Sequence, residues 1–386
     1  MGYIPAYPIG GTAGALPLPV DYIIYKSGSD CKALNGSTGV VDSTSSSHNV
    51  PIQYAIDSFD HGGLIHIKQG TYDLRDAILT GTKSVRITGD GWGPGVNPQV
   101  HPLTVIRPHL TLGADWLFIF GSDSANSWNC SLENLMFYGR EYTDCLGAIF
   151  WKSQFHGQLK NLFISNFYNT ATPARAIYLG HVGAYNTGGN AIDNVHIWDT
   201  PIGIELSSLA NSNTFNHCHL QNGVQSNAKG MYFRGCDTAL VLNCHMETYD
   251  EAGSIALHIE TGWDHRFIGT RFEANRVNVQ IDAGASRCYF TNCSLGTPDV
   301  SNVLDSGAVR SLFCNCFGYV TEKWGTSTGT GAQQTIAHGL AGAPDMVLLS
   351  DKELNAIPYQ SAAADATNIY ILAALNQDYT WYARRF

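Results

Sequence analysis

The sequence predicts an all-β chain wound into a coil of stacked parallel strands, and three observations carry that prediction. The first is composition. Among 386 residues, Asp, Glu, Lys and Arg make 14%, Gly numbers 40, and Tyr, Phe and Trp make 11%. An average soluble domain is roughly 25% charged, so helical bundles and coiled coils are excluded. The second is a repeated phrase of small or polar residue, apolar, any, apolar: Asn134-Leu135-Met136-Phe137, Asn161-Leu162-Phe163-Ile164, Asn194-Val195-His196-Ile197, His217-Cys218-His219-Leu220, Asn243-Cys244-His245-Met246, Gly269-Thr270-Arg271-Phe272, Asn292-Cys293-Ser294-Leu295 and Asn315-Cys316-Phe317. The third is an apolar-x-apolar phrase out of step with the first, starting at Ile149, Ile177, Ile204, Met231, Leu257, Val279 and Val303. Both phrases recur at a mean spacing of about 26 residues, and two interleaved strands with one period describe a coil that closes on itself.

Each lead residue is preceded by a third short apolar run, as in Leu240-Val241-Leu242, Arg266-Phe267-Ile268, Tyr289-Phe290 and Leu312-Phe313. The lead position therefore sits in a tight bend between two strands. Such a bend demands left-handed backbone, which Asn and Gly adopt at least cost. Stacked about 4.8 Å apart, the Asn side chains are placed to hydrogen-bond along the column. Three strands per rung with an Asn bend describe a parallel β-helix. Its inward positions include Cys218, Cys244, Thr270, Cys293 and Cys316, read as small core groups. Ten cysteines in 386 residues are too sparse for a disulfide scaffold, and no matched C-x-x-C pair occurs. Cys314-Asn315-Cys316 is expected to point both thiols to one face. All ten are expected to be free, with no metal and no cofactor.

The net charge of −10 with 22 basic residues offers no footprint for nucleic acid or an anionic membrane. No apolar run approaches the roughly 18 residues of a membrane span. Met1-Gly2-Tyr3-Ile4-Pro5 lacks the opening of a cleaved signal, so synthesis and folding in a reducing cytoplasm are expected.

Val50 to Phe59 has helical spacing and Gly62-Gly63 ends it, which suits a cap over the open end of the stack. Leu64 to Ile67 and Gly70 to Leu74 follow as strands. Here Ile52-Gln53-x-Ala55-Ile56-Asp57, Gly63-x-Ile65-x-Ile67, Gly70-Thr71-Tyr72 and Val85-Arg86-Ile87-x-Gly89-x-Gly91 resemble the opening of pectate-lyase-like right-handed parallel β-helix proteins, which include many phage tailspikes. The resemblance spans roughly residues 48 to 320. It implies a right-handed coil, and a virion tail or spike protein that binds a host cell-surface polysaccharide and depolymerises it. The opening is shared by hydrolases, lyases and non-catalytic fibres, so all three activities stay open. The Asn-Thr-Asp, Asp-Asp and His-Gly set of the polygalacturonases is not found on the rungs. Trp263-Asp264-His265-Arg266, the one phrase near a pectate lyase motif, reads as a turn.

Gly325 to Gly331 reads as a flexible linker, and short strands follow it at Gln334, Met346, Asn368 and Tyr379. Thr330-Gly331-x-x-Gln334-Thr335-Ile336-x-His338-Gly339-Leu340 resembles the terminal β-modules of some virus fibre proteins, which implies trimer formation or receptor contact. The predicted organisation is an N-terminal extension (1–47), through which other tail proteins attach, a β-helix (48–324) and a small antiparallel module (325–386).

Alternation along the strand after the Asn bend sets two outward columns. One is Met136, Phe163, His196, His219, His245, Arg271, and the other Tyr138, Ser165, Trp198, Gln221, Glu247, Glu273. Glu247 and Glu273 thus fall on successive rungs about 4.8 Å apart, near the separation of acid and nucleophile in retaining glycosidases. They are the first candidates for hydrolysis, with Glu205 and Asp199 next. The alternative is a solvated face on which Arg271 and the Glu pair exchange salt bridges. Trp198, His245 and Arg271 are candidate sugar contacts. A lyase route would instead use His245 or His258 as base and Arg271 on a uronate. A further outward row is Phe150, Tyr178, Glu205, Tyr232, His258 and Gln280. Its aromatics are expected to be exposed, to take sugar rings or a neighbouring subunit. Loops from Gly139 to Gly147 and Phe167 to Arg175 join these walls, and the longest insertion, His181 to Asn190, falls on another edge.

Overall fold

The computed structural model describes residues 20–91, 103–140, 144–169, 172–180, 186–223, 225–307, 311–351 and 358–385. Residues 141–143, 170–171 and 181–185 of the three loops, and the first 19 residues, lie outside that set. Strands dominate, and Asn49–Asp57 is the one α-helix among the described residues. Two walls of parallel strands run the length of the coil. In the first, Ser131–Tyr138, Gln158–Ser165 and Ala191–Trp198 pair in register. From there each coil adds two short strands, first Thr214–Asn216 with His219–Gln221, then Leu240–Leu242 with His245–Glu247, then Arg266–Ile268 with Arg271–Glu273. The second wall stacks nine strands in chain order from Ile78–Leu79 to Ser301–Asp305. Only parallel pairing of each strand with its equivalent one coil later gives this order, and the molecule is a parallel β-helix.

All eight lead residues, Asn134, Asn161, Asn194, His217, Asn243, Gly269, Asn292 and Asn315, have φ between 50° and 64°. The Asn161 amide donates to Asn134 Oδ1 at 3.0 Å, Asn194 to Asn161 at 2.9 Å and Asn315 to Asn292 at 2.7 Å. The side-chain ladder is interrupted where His217 and Gly269 stand. Two further left-handed columns went unnoticed in the sequence. Asn166, Asp199, Asn222, Thr248 and Ala274 form one, and Ser212, Thr238, Asp264 and Arg287 the other. At seven of these nine corners the residue's N–H donates to the carbonyl that precedes the equivalent corner of the next coil, as Asp199 does to Gln221 and Thr248 to Glu273. That inter-coil bond holds even a β-branched Thr in a conformation it otherwise avoids. Of the phrase Trp263 to Arg266 only left-handed Asp264 and buried His265 form the corner, since Trp263 ends the strand Ile255–Trp263 and Arg266 begins the strand Arg266–Ile268.

The interior is a continuous column of apolar side chains. Phe267, Phe290 and Phe313 stack face to face at 4.6 and 4.3 Å. Cys218, Cys244, Thr270, Cys293 and Cys316 point inward as expected. One expectation about the thiols is corrected: left-handed Asn315 splits the C-x-C pair, so Cys316 is buried while Cys314 ends its strand on the outer side. All ten cysteines are free. Burial pushes Cys31, Cys145 and Cys288 up to about 12, and thiolate is the reactive form. A thiol reagent should therefore count ten groups in denatured protein and at most one, Cys314, in native protein. Several fast-reacting native thiols would contradict this burial.

His265 is fully buried with its ring 5.0 Å from that of Phe233, and its Nδ1 accepts from the Ala239 N–H. Burial lowers its pKa from 6.5 to about 4. Between those values the unfolded chain binds a proton that the folded chain refuses, so stability falls as pH drops from 6.5 to 4. At 1.36 kcal/mol per unit the loss is about 3 kcal/mol. Urea midpoints at pH 7 and 4.5 should fall steeply in wild type and clearly less in His265→Leu.

At the N-terminal end, helix Asn49–Asp57 buries Pro51, Ile52, Ala55 and Ile56 over the first coil. Part of the stretch read as an extension belongs to the wall. Tyr22–Ser27 pairs parallel with Gly62–Ile67 and antiparallel with Asp30–Asn35, which pairs with Val41–Ser45. Alternating Tyr22, Ile24, Cys31 and Ala33 supply its buried face. At the other end the expected linker is corrected. Gly325 to Thr328 lies in strand Glu322–Thr328, paired antiparallel with Asp378–Arg384, because Gly325 leaves room for the Trp381 indole. Two three-stranded antiparallel sheets enclose Ile369, Ile371, Tyr379, Trp381 and Ala383.

Candidate functional site

Every column read from alternation is a true register: His196, His219, His245 and Arg271 are successive partners, as are Trp198, Gln221, Glu247 and Glu273. The corner at Asn243 ends one short strand, and the next carries His245 and Glu247 outward on either side of buried Met246. The His219 and His245 rings stack at 4.8 Å, 6° from parallel. His219 Nε2 lies 2.9 Å from Glu247 Oε1. His245 Nε2 is 3.5 Å from Glu247 Oε2 and 3.5 Å from Glu273 Oε2, so the two carboxylate oxygens are separated by at most twice that distance. Arg271 clamps Glu273 at 2.5 Å. Burial pushes His245 below the ordinary histidine value more than the Glu247 charge pulls it up. Burial, with His219 beside it, takes His196 down to about 4. Glu247 is four-fifths covered, and Glu273 and Arg271 are about half open to solvent.

Beside this cluster lies a cleft of about 390 Å³ lined by Arg271, Glu273, Ser294, Gly296, Thr297 and Phe317. Phe317 is 75% exposed. It follows the last corner, Asn315, where no further coil covers it. Trp198 stands two coils above Glu247 in the same column, edge-on to Phe163 at 5.2 Å. Asp199 occupies a corner and its carboxylate accepts from the Asn222 amide.

The second wall holds a separate polar network, and it differs from the exposed aromatic row expected. Phe150 and Tyr178 pack on each other at 4.9 Å and under Trp116, while Tyr232 stacks on His258 at 4.9 Å. Adjacent rings shield one another at the strand spacing, which leaves them half-buried. Glu205 points outward by register yet is 1% exposed, because Arg175 at 2.5 Å and Arg234 at 3.1 Å close over it. Tyr232 donates to Glu260, and Lys229 Nζ sits 3.7 Å from the centre of its ring. His258 lies 2.8 Å from Asp282, and burial holds it below the usual histidine value.

Thus Glu247, Glu273, His245 and Arg271 come together. Glu205, Tyr178, Tyr232 and His258 do so on the other wall, and among the described residues no hydrogen bond, ion pair or ring contact joins the two groups. The sequence reading did not select His219, Phe317, Arg175, Arg234 or Glu260 as site residues. His219 was legible, since it shares the His245 column one coil earlier.

No family model matches the sequence, and no curated protein matches it. Solved structures do. A protein of Geobacillus virus E2 (ORF18) is 16% identical over 83% of this chain and 72% of its own, with a TM-score of 0.55. An alginate lyase from Paenibacillus sp. str. FPU-7 is 14% identical over 70% of this chain and 93% of its own, with a TM-score of 0.51. A tailspike of Acinetobacter baumannii bacteriophage Fri1, a capsular polysaccharide depolymerase, reaches 0.49 at 9% identity, covering 86% of this chain and 80% of its own. The first two establish the class: this chain has the parallel β-helix fold found in a viral protein and a polysaccharide lyase. Among the described residues no helix is long and apolar enough to cross a membrane.

Proposed function

We propose that this protein is a virion tailspike that binds a host cell-surface polysaccharide and cleaves it by glycoside hydrolysis at Glu247 and Glu273. The observation that carries the reading is the carboxylate pair on adjacent strands with His245 3.5 Å from both, beside a cleft edged by exposed Phe317. Glu247, held between two imidazoles, is placed as the acid, and Glu273, paired with Arg271, as the nucleophile. The Phe317 face supplies a platform for a sugar ring, and Arg271 a cation for an acidic one. The two residues are register partners on adjacent strands, whose backbones lie about 4.8 Å apart, and that placement suits a retaining mechanism, which uses carboxyl groups about 5 Å apart. The second reading is a non-catalytic adhesin, favoured by the openness and ion pairing of Glu273 and Arg271. A screen against purified capsular and O-antigen polysaccharides tests both. New reducing ends without unsaturated-uronate absorbance support hydrolysis, absorbance indicates a lyase, and binding without products leaves the adhesin.

The same proposal includes a homotrimer, with other tail proteins attached through the N-terminal region. With the second-wall rings covering one another, the support shifts to the C-terminal module. There Trp324, Tyr382 and Leu348 align across one sheet, and Trp324 and Leu348 are 73% and 55% exposed. Exposed apolar rows of this kind favour a partner surface. Light scattering at micromolar concentration should give three chains per particle, and Trp324→Ser with Leu348→Ser should shift it to one.

A further inference from the structure

The His219, His245 and Glu247 side chains present three ligand atoms, one from each residue, all within 4.8 Å of one another. We infer that they form a binding site for one divalent transition-metal ion of the zinc class. Zinc holds imidazole nitrogens at about 2.0 Å and carboxylate oxygens at about 2.1 Å, so the ligand atoms around one tetrahedral ion lie about 3.3 Å apart. The two His–Glu247 distances, 2.9 Å to Oε1 and 3.5 Å to Oε2, bracket that value, and all three ligand atoms close to it from within 4.8 Å of one another. The two histidines come from equivalent positions on paired strands, so the backbone fixes their spacing without any loop, and from the stacked arrangement one ring turns about its side-chain bonds to bring both in-plane Nε2 lone pairs onto one ion.

A second observation points to the same ligand. His245 Nε2 is sealed from solvent, makes no hydrogen bond, and faces Glu247 and Glu273, each at 3.5 Å. Buried polar atoms are rarely left without a partner, and a cation at this point satisfies the nitrogen and both carboxylates. On binding, the Nε2 proton that His219 donates to Glu247 leaves to solvent, and the ion takes the nitrogen lone pair and a carboxylate oxygen in its place. Two imidazoles and a carboxylate are a zinc-class donor set, with one coordination position left for water or Glu273. Calcium and magnesium prefer oxygen ligands throughout and are poor matches.

The site shares Glu247 and His245 with the carboxylate pair proposed for hydrolysis, and an ion bound there holds Glu247 ionised and so blocks its use as an acid. Metal binding is therefore tested with no polysaccharide present, so that its failure and the failure of the glycan reading stay distinguishable. The full chain, stripped with chelator, is titrated with Zn²⁺, Co²⁺ and Ca²⁺ by calorimetry, with the visible spectrum of Co²⁺ as a second signal. One Zn²⁺ or Co²⁺ per chain is expected at micromolar affinity, with no Ca²⁺ binding. His219→Ala, His245→Ala and His245→Gln should each weaken binding by more than about 100-fold, above the range for loss of an outer-shell partner, with unchanged melting temperatures. Absence of binding at micromolar metal, or equal binding in wild type and the well-folded histidine variants, overturns the proposal.

Discussion

Replacing Glu205 by Gln is expected to destabilise the protein by about 3 kcal/mol, the low end of what removal of one partner from a buried ion pair costs. Glu205 is 1% exposed and its two oxygens serve two guanidinium groups, Arg175 and Arg234. Without its charge, Arg175, itself mostly covered and resting on the Tyr178 ring, is left with no anion at bonding distance among the described residues. Arg234 is half exposed, also pairs with Glu260, and recovers water on its open side, which is why the low end applies. The midpoint of urea unfolding reads the change. A midpoint at the wild-type value together with lost turnover would falsify the structural role and return Glu205 to the list of reacting groups.

The registers were legible because two local rules suffice for them. Period-2 alternation sets which residues face out, and a left-handed corner at Asn sets where one strand stops and the next begins, so His219, His245 and Arg271 could be aligned by counting from Asn243 and its equivalents. What covers an outward residue was not legible. Glu205 and Glu247 have the same alternation, yet Arg175 and Arg234 reach over the first from neighbouring coils, and long side chains have no register. The corners at Thr238 and Thr248 were not legible because the inter-coil bond, rather than residue preference, imposes their conformation. Gly325 to Thr328 was misread for the related reason that small polar residues suit both a linker and a strand packed beneath a Trp. The first hairpin, Tyr22 to Asn35, was missed since only four inward residues mark it and its partner strand lies some forty residues later.

Glu247→Gln and Glu273→Gln are expected to remove turnover while leaving the fold and glycan binding in place. Loss of a general acid costs about 100- to 10,000-fold, so Glu247→Gln should fall in that range for substrates with a poor leaving group. Glu273→Gln should be lower still, because an amide cannot form the glycosyl–enzyme ester on which the retaining route depends. Both side chains lie on the outer wall, flanking buried Met246 and Phe272 without replacing them. Each variant should therefore unfold within about 1 kcal/mol of wild type, the scale of an exposed ion pair. Reducing-end release over time, with urea midpoints and glycan binding measured on the same preparations, separates the outcomes. Undiminished release in both variants removes the pair from the chemistry. Loss in Glu273→Gln with full activity in Glu247→Gln would move the acid to another group within reach, for which His245, 3.5 Å from Glu273, is the nearest.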